Sequence, residues 1–540
     1  MKMLSGLLSF WILAMGLGAR IAESGEIQNA ESPWTLAEER AAIYEDCGRN
    51  ATRVLQGWID LKRDPETHLY PKDGTWNYHN EAADHYSSLV LMAHYVSPEL
   101  IAEGGTLHRT LLNCRKLCAT PSGLPAVYDL KKGVRGDPAQ LNHLSEWLRD
   151  GLIRIVEVLG MDNDWGRELQ RLTNAMLAEA GQRGGMAEAF PDTESAGNML
   201  QTLARLYALT GDDAFLMAAE SLADFHLSDA ETTIRRARFG DHGCELIPGL
   251  GELYALEQQL GRPKAKDYER PLREVLDGML AVNRHPQTGL LCQSKLDGGV
   301  RTWSQPPDTW GYVLFTYENY DHGAAEPRYN EAIEKPLRWL LDHQPRYNSV
   351  RADLWPRSQS SDDWSDSYES MIVLWTRYPE AGDAFGWLDW ATLQHIHRRQ
   401  GEEEYGPYTG GHFDGSTGRT LCIHMMMCSR GVRTVPFEEG LGLGGVQQGE
   451  TMRLSLESAK PWRGKLCFDP PRGSGPAAAV NWARINEMPQ WFMAQPGQTY
   501  EVVVSDQKRI VDGQTLIDGL GVSVSAGQKH RIVLNPVKAQ

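Results

Sequence analysis

The chain has 540 residues, 41% of them hydrophobic and 23% charged, a composition that suits a folded globular protein and excludes a disordered one. A net charge of -17 argues against general binding to nucleic acid or to an anionic membrane surface. Eight cysteines over this length are too few for a disulfide scaffold.

The first element in chain order is an export signal. Lys2 precedes an apolar run from Leu4 to Leu17 and small residues around Gly18 and Ala19, the pattern of a secretory leader over 1–22, processed between Ala19 and Ser24. No later stretch is apolar for 18 residues, so no membrane span is expected in the mature chain. That places the protein in the periplasm or outside the cell.

Apolar residues then recur at spacings of three and four, which predicts helices. The predicted segments are 35–59, 80–96, 105–117, 140–159, 163–180, 194–210, 212–228, 242–260, 264–283, 308–322, 327–344, 363–378, 381–399 and 417–430. Leu144, Trp147, Leu148, Leu152, Ile155, Val156 and Leu159 form one such stripe. Short and long links alternate strictly between the segments. Antiparallel neighbours place successive links on opposite faces, so all the long links share one face. Long links between packed helices are uncommon unless they serve function. The expected fold is a toroid of helical hairpins over 35–430, in which the helix after each long link is the inner one. From about 435 the periodicity falls to two, with strands expected near 451–457, 464–468, 478–484, 499–505 and 520–533. This predicts a C-terminal antiparallel β-sandwich over 435–540.

The starts of the inner helices carry acids and histidines: His79, Glu81, Asp84 and His85; Asp192 and Glu194; Asp241, His242 and Glu245; Asp308; then Asp362, Asp363, Asp366 and Glu369. Any one of these acids is explained as a helix cap. Their repetition beside Trp, Tyr and His is not a requirement of capping. Glycoside hydrolysis needs one protonated and one ionised carboxyl across the scissile bond. Asp308, set between Pro307 and Trp310, and Asp363, in a dense acidic cluster, are the expected catalytic pair, with Glu245 and Glu194 in reserve. Trp76, His79, Asp84, Asp192, His242, Arg301, Trp310, Tyr312, Trp364, Asp366 and Tyr368 are the expected substrate contacts. His79, Tyr312 and Arg301 also offer the base, acid and cation that elimination from a uronic-acid polymer needs. No cofactor is called for. The spacing of His412, Cys422, His424 and Cys428 matches no strong zinc pattern, so no metal is expected. Gly440 to Gly445 lacks the Lys-Ser/Thr ending of a phosphate loop and is read as the link into the β domain.

The alternation of links over 35–430 resembles the six-hairpin glycosidase superfamily, with its (α/α)6 toroid, and the polysaccharide lyases that share it. Seven helix pairs can be counted here, one more than that pattern. The resemblance implies a carbohydrate substrate bound on the long-link face. The expected activity is glycoside hydrolysis of a poly- or oligosaccharide, with uronic-acid elimination or glycan binding without turnover as alternatives.

Overall fold

A computed structural model describes residues 32–71, 74–343, 354, 356, 361–381, 415–473 and 475–538. The expected leader and the predicted helix 381–399 fall almost wholly outside them. Among the described residues no helix is long and apolar enough to cross a membrane.

The fold is the expected toroid of helical hairpins joined to a C-terminal β domain, and two patterns of burial separate its helices. One set is buried on nearly every side, which places it inside. It comprises α2 (π-helical Asn80–Tyr86 running into Ser87–Val96), α4 (Leu141–Glu146, π-helical Trp147–Ile153, Arg154–Leu159), α6 (Thr193–Thr210), α8 (Leu246–Gln259), α10 (Tyr312–Tyr320), α12 (Ser361–Arg377) and α13 (Gly415–Ser429). Successive members touch one another, and α13 returns to α2, closing a ring. The second set buries a single stripe and lies outside: α3 (Thr106–Leu117), α5 (Asp164–Gln182), α7 (Asp213–Leu227), α9 (Pro263–Asn283) and α11 (Asn330–Asp342). Among the described residues the inner set has seven members, and the predicted outer partner of the last, over 381–399, lies almost wholly outside them.

Local chemistry sets the helix ends. Asp192 caps α6, its carboxylate accepting the Ser195 N–H at 2.7 Å. The helix stops at Gly211, whose φ of 73° is left-handed, a conformation that costs glycine nothing. Gly197 and Gly249 let α6 and α8 approach so closely that an added Cβ would meet the neighbouring backbone within 3 Å.

The long links are not structureless. Thr75–Trp76 (β1) pairs with Ala126–Asp129 (β2), which pairs with Val134–Pro138 (β3). Ser294–Asp297 (β4) and Val300–Trp303 (β5) form a separate hairpin.

The β domain has two antiparallel sheets. Val432–Val435 (β6), Trp462–Phe468 (β9) and Leu520–Val524 (β12) form one, in the order β12-β9-β6. Leu441–Gln448 (β7), Thr451–Ser458 (β8), Thr499–Val504 (β10), Gln507–Asp512 (β11) and Lys529–Pro536 (β13) form the other, in the order β11-β10-β13-β8-β7. The first helix, α1 (Pro33–Leu61), packs between this larger sheet and α13. That contact explains the glycine run. A Cβ at Gly444 would lie 1.8 Å from the Ala37 carbonyl oxygen, and one at Gly445 2.7 Å from that of Ser429. Backbone meets backbone there, so Gly440 to Gly445 includes strand β7 and is more than a link. The strand expected over 478–484 is absent. Residues 475–494 run irregularly between β9 and β10 and enter the ring, where side chains and not a sheet ladder satisfy their backbone.

Candidate active site

A polar cavity of about 130 Å³ opens inside the ring, lined by His79, Asn80, Asp84, Glu146, Arg149, Asp150, Glu194, Asp241, His242, Glu245, Tyr312, Asp366, Arg419 and Asn486. Most of these residues come from the starts of inner helices or the links before them, as the hairpin geometry requires. Asn77 turns the chain into α2: its side-chain oxygen accepts the backbone N–H of His79 at 3.0 Å and of Asn80 at 3.1 Å. The π-helical stretches of α2 and α4 lie against each other. The wider turn rotates side chains off the α-helical register, a device found often at functional sites. It brings Asp84 on α2 to Glu146 and Asp150 on α4, with carboxylate oxygens within 4.8 Å of one another.

The electrostatics sort the acids. Glu245 is buried, 2% exposed, and burial pushes its carboxyl up to about 8 against the pull of Arg149. The nearest Arg149 nitrogen is 3.7 Å from Oε1, and Oε2 is buried without a hydrogen-bond partner. Burial thus favours the protonated form of Glu245. Glu194 goes the other way. Its burial would raise it, but His242 hydrogen-bonds it at 3.1 Å, and with Arg149 and His79 also nearby the carboxyl is held below its ordinary value. His242 is raised to about 10, first by the bond to Glu194 and then by Asp241 at 3.2 Å. It is a cation facing the cavity, on a backbone with φ of 58°. His79 bonds Glu146 and is raised by it. The His79 ring lies 5.1 Å from that of His143 and 5.4 Å from that of His242. Opposite them, the Tyr312 hydroxyl donates to Asp366 and Glu369, each at 2.8 Å. Arg419 pairs with the same two acids at 2.8 and 3.0 Å.

Three carboxylates this close form the donor set of a hard divalent cation. Here His79 bonds Glu146, Arg149 pairs with Asp150 at 2.8 Å, and Asn486 donates to Asp150. Glu146 and Asp150 thus each have a partner from the protein itself. Cys422, His424 and Cys428 are buried on α13, and His412 lies outside the described residues.

Of the residues singled out from the sequence, His79, Asp84, Glu194, Asp241, His242, Glu245, Tyr312 and Asp366 line the cavity. Asp308 and Asp363 do not: both are buried, at 4% and 1% exposure, and Asp308 accepts the backbone N–H of its neighbour Thr309 at 3.1 Å. Asp192 is occupied with its cap. Trp76, Trp310 and Tyr368 are buried in the core away from the cavity lining. Arg301 sits on the β4–β5 hairpin, donating to the Val282 carbonyl and the Ser294 hydroxyl. The Trp364 side chain lies outside what the structure describes. Residues the sequence did not single out are Asn80, Glu146, Arg149, Asp150, Arg419 and Asn486. A signal existed for three of them: Glu146, Arg149, Asp150, Arg154 and Glu157 form a polar line at spacings of three and four down α4, on a helix whose apolar stripe was already evident.

No family model matches the chain, and no curated protein matches it. Among solved structures, it is similar to an inactive variant of the alpha-1,6-mannanase GH76A of Salegentibacter sp. HEL1_6 in complex with alpha-1,6-mannotetrose. The identity is 12% over 58% of this chain and 95% of that one, with a TM-score of 0.36. It is also similar to a GH127 beta-L-arabinofuranosidase from Geobacillus stearothermophilus T6, at 11% identity over 98% of this chain and 80% of that one, with a TM-score of 0.29.

Proposed function

We propose that the protein is a glycoside hydrolase in which Glu245 is the general acid and Glu194 the ionised partner, base or nucleophile. One observation carries this reading. Two carboxyl groups at the starts of adjacent inner helices line one cavity, and their surroundings drive protonation in opposite directions. Such divergence is how a site assigns acid and base roles to chemically identical groups. In the proposed reaction, Glu245 gives its proton to the departing glycosidic oxygen while Glu194 either activates water or attacks the anomeric carbon. Glu146 and Asp366, held by His79 and Arg419, supply acceptors for sugar hydroxyls. The His242 side chain, raised to about 10 beside Glu194 and Asp241, favours a glycan bearing a carboxylate. Elimination is the weaker reading because the Tyr312 hydroxyl, its expected phenol, is engaged by Asp366 and Glu369, each at 2.8 Å.

The test is a panel of neutral and uronic-acid glycans, read for reducing ends and for the ultraviolet absorbance of an unsaturated product. Hydrolysis predicts reducing ends without that absorbance, and a loss of about a hundredfold or more in kcat for Glu245→Gln and Glu194→Gln. An absorbing product, or near-normal turnover in either variant, refutes the assignment.

A further inference from the structure

The segment between β9 and β10 enters the ring beside the cavity, and along with buried apolar side chains it makes a set of polar contacts to the inner helices. Trp482 Nε1 donates to Glu252 of α8 at 2.9 Å. Ala483 N–H donates to the Asn319 side chain of α10 at 2.9 Å, and its carbonyl accepts from the same side chain at 2.8 Å. Arg484 Nε donates to Glu157 of α4 at 2.9 Å, and the Ile485 carbonyl accepts from Arg205 of α6 at 2.9 Å. The segment thus ties four inner helices together and delivers Asn486 to the cavity.

Asn486 is 2% exposed and left-handed, with φ of 61°. Its backbone N–H donates to Glu369 and its side-chain N–H to Asp150. Its side-chain oxygen accepts from Arg419 and, at 3.4 Å, from Arg154. A primary amide offers two donors and an acceptor oxygen without adding charge. A carboxylate here would face Asp150 and Glu369; an ammonium would face Arg154 and Arg419.

We infer that Asn486 is a positioning residue of the active site, contributed by the β domain, which holds Asp150 on one wall and Arg419 on the opposite wall in fixed relation. It acts through them: Arg149 bridges Asp150 and Glu245, while Arg419 sets Asp366 and Glu369 around Tyr312. This rests on the hydrolase reading above, and it makes the catalytic unit the toroid together with the inserted segment.

The left-handed backbone supplies a clean test. Asn486→Gly removes the side chain while keeping a residue at ease at positive φ, and it retains the backbone N–H to Glu369. The expected result is a folded protein with kcat down about tenfold or more, KM changed little, and a displaced pH–rate profile, because the charges around Asp150 and Glu245 are no longer held. Asn486→Ala should match its kinetics with a lower melting temperature from backbone strain. A merely structural role predicts a lower melting temperature in Asn486→Gly with wild-type kcat and pH profile, which overturns the inference. A crystal structure of Asn486→Gly decides the matter independently of any substrate. Movement of the Asp150 or Arg419 side chain is expected, and both remaining within about 0.5 Å of their wild-type places overturns the inference even if no glycan is cleaved.

Discussion

Arg205→Met tests whether these polar contacts hold the toroid to the inserted segment. Arg205 is fully buried and forms a two-point pair with Glu252, Nε at 2.8 Å and an Nη at 2.7 Å. The same guanidinium donates to the Ile485 carbonyl. Met fills most of the volume but leaves Glu252, 0% exposed, with Trp482 as its remaining donor. Breaking a buried pair from one side costs about 3–5 kcal/mol, because a charge stays behind uncompensated. That is a large share of the roughly 5–15 kcal/mol that separates folded from unfolded domains. The assay is guanidinium unfolding followed by tryptophan fluorescence and far-ultraviolet circular dichroism, since coincident curves license a single free energy. Arg205→Met combined with Glu252→Leu should recover much of the loss, since replacing both partners leaves no orphaned charge. A single variant within about 1 kcal/mol of wild type at neutral pH, against that 3–5 kcal/mol, refutes the reasoning.

Gly444→Val should destabilise the junction of α1 with β7 by about 1–3 kcal/mol or more, because its Cβ would fall 1.8 Å from the Ala37 carbonyl oxygen; a melting temperature equal to wild type contradicts that contact. His242→Asn keeps a residue that tolerates positive φ but removes the cation beside Glu194. The acid limb of kcat/KM should then move toward neutral pH, and an unmoved limb separates His242 from Glu194. His242 also makes a sign prediction for stability. A folded value of about 10 against an ordinary 6.5 means its contribution is complete below 6.5 and lost as pH rises toward 10, so a thermal-melt series should show this alkaline loss in wild type and less of it in His242→Asn.

The toroid was legible because the alternation of short and long links is a property of chain length, and inner and outer helices differ only in how much of their surface is apolar. The predicted helices 194–210 and 264–283 lie within one residue of Thr193–Thr210 and Pro263–Asn283. Which acids line the cavity was harder to read. Asp308 and Asp363 have the surroundings expected of catalytic acids, but a link can turn its acid inward to its own backbone, as Asp308 does, and sequence spacing does not report that rotation. Glu146, Arg149 and Asp150 lay on a polar line along α4 that the sequence did show, but the π-helical turn from Trp147 onward sets which way Arg149 and Asp150 face. Asn486 was hidden by distance, since it reaches the cavity from a segment more than 330 positions beyond Asp150. The strand expected over 478–484 failed for the same reason. Its alternating apolar residues face the ring and not a neighbouring strand.

The pH dependence of kcat/KM on a cleaved glycan, compared between wild type and Glu245→Gln, tests the central assignment most directly. Glu245 must be protonated to act as the acid, and its carboxyl is raised to about 8 from an ordinary 4.5. The account predicts a wild-type alkaline limb near pH 8 that is absent from the residual activity of Glu245→Gln. The same raised carboxyl makes wild-type stability fall as pH rises from about 4.5 through 8, whereas the Gln variant carries no ionisable group there, so alkaline melts of wild type should fall progressively below those of Glu245→Gln in step with the rate. An alkaline limb that persists unchanged in Glu245→Gln would contradict the account.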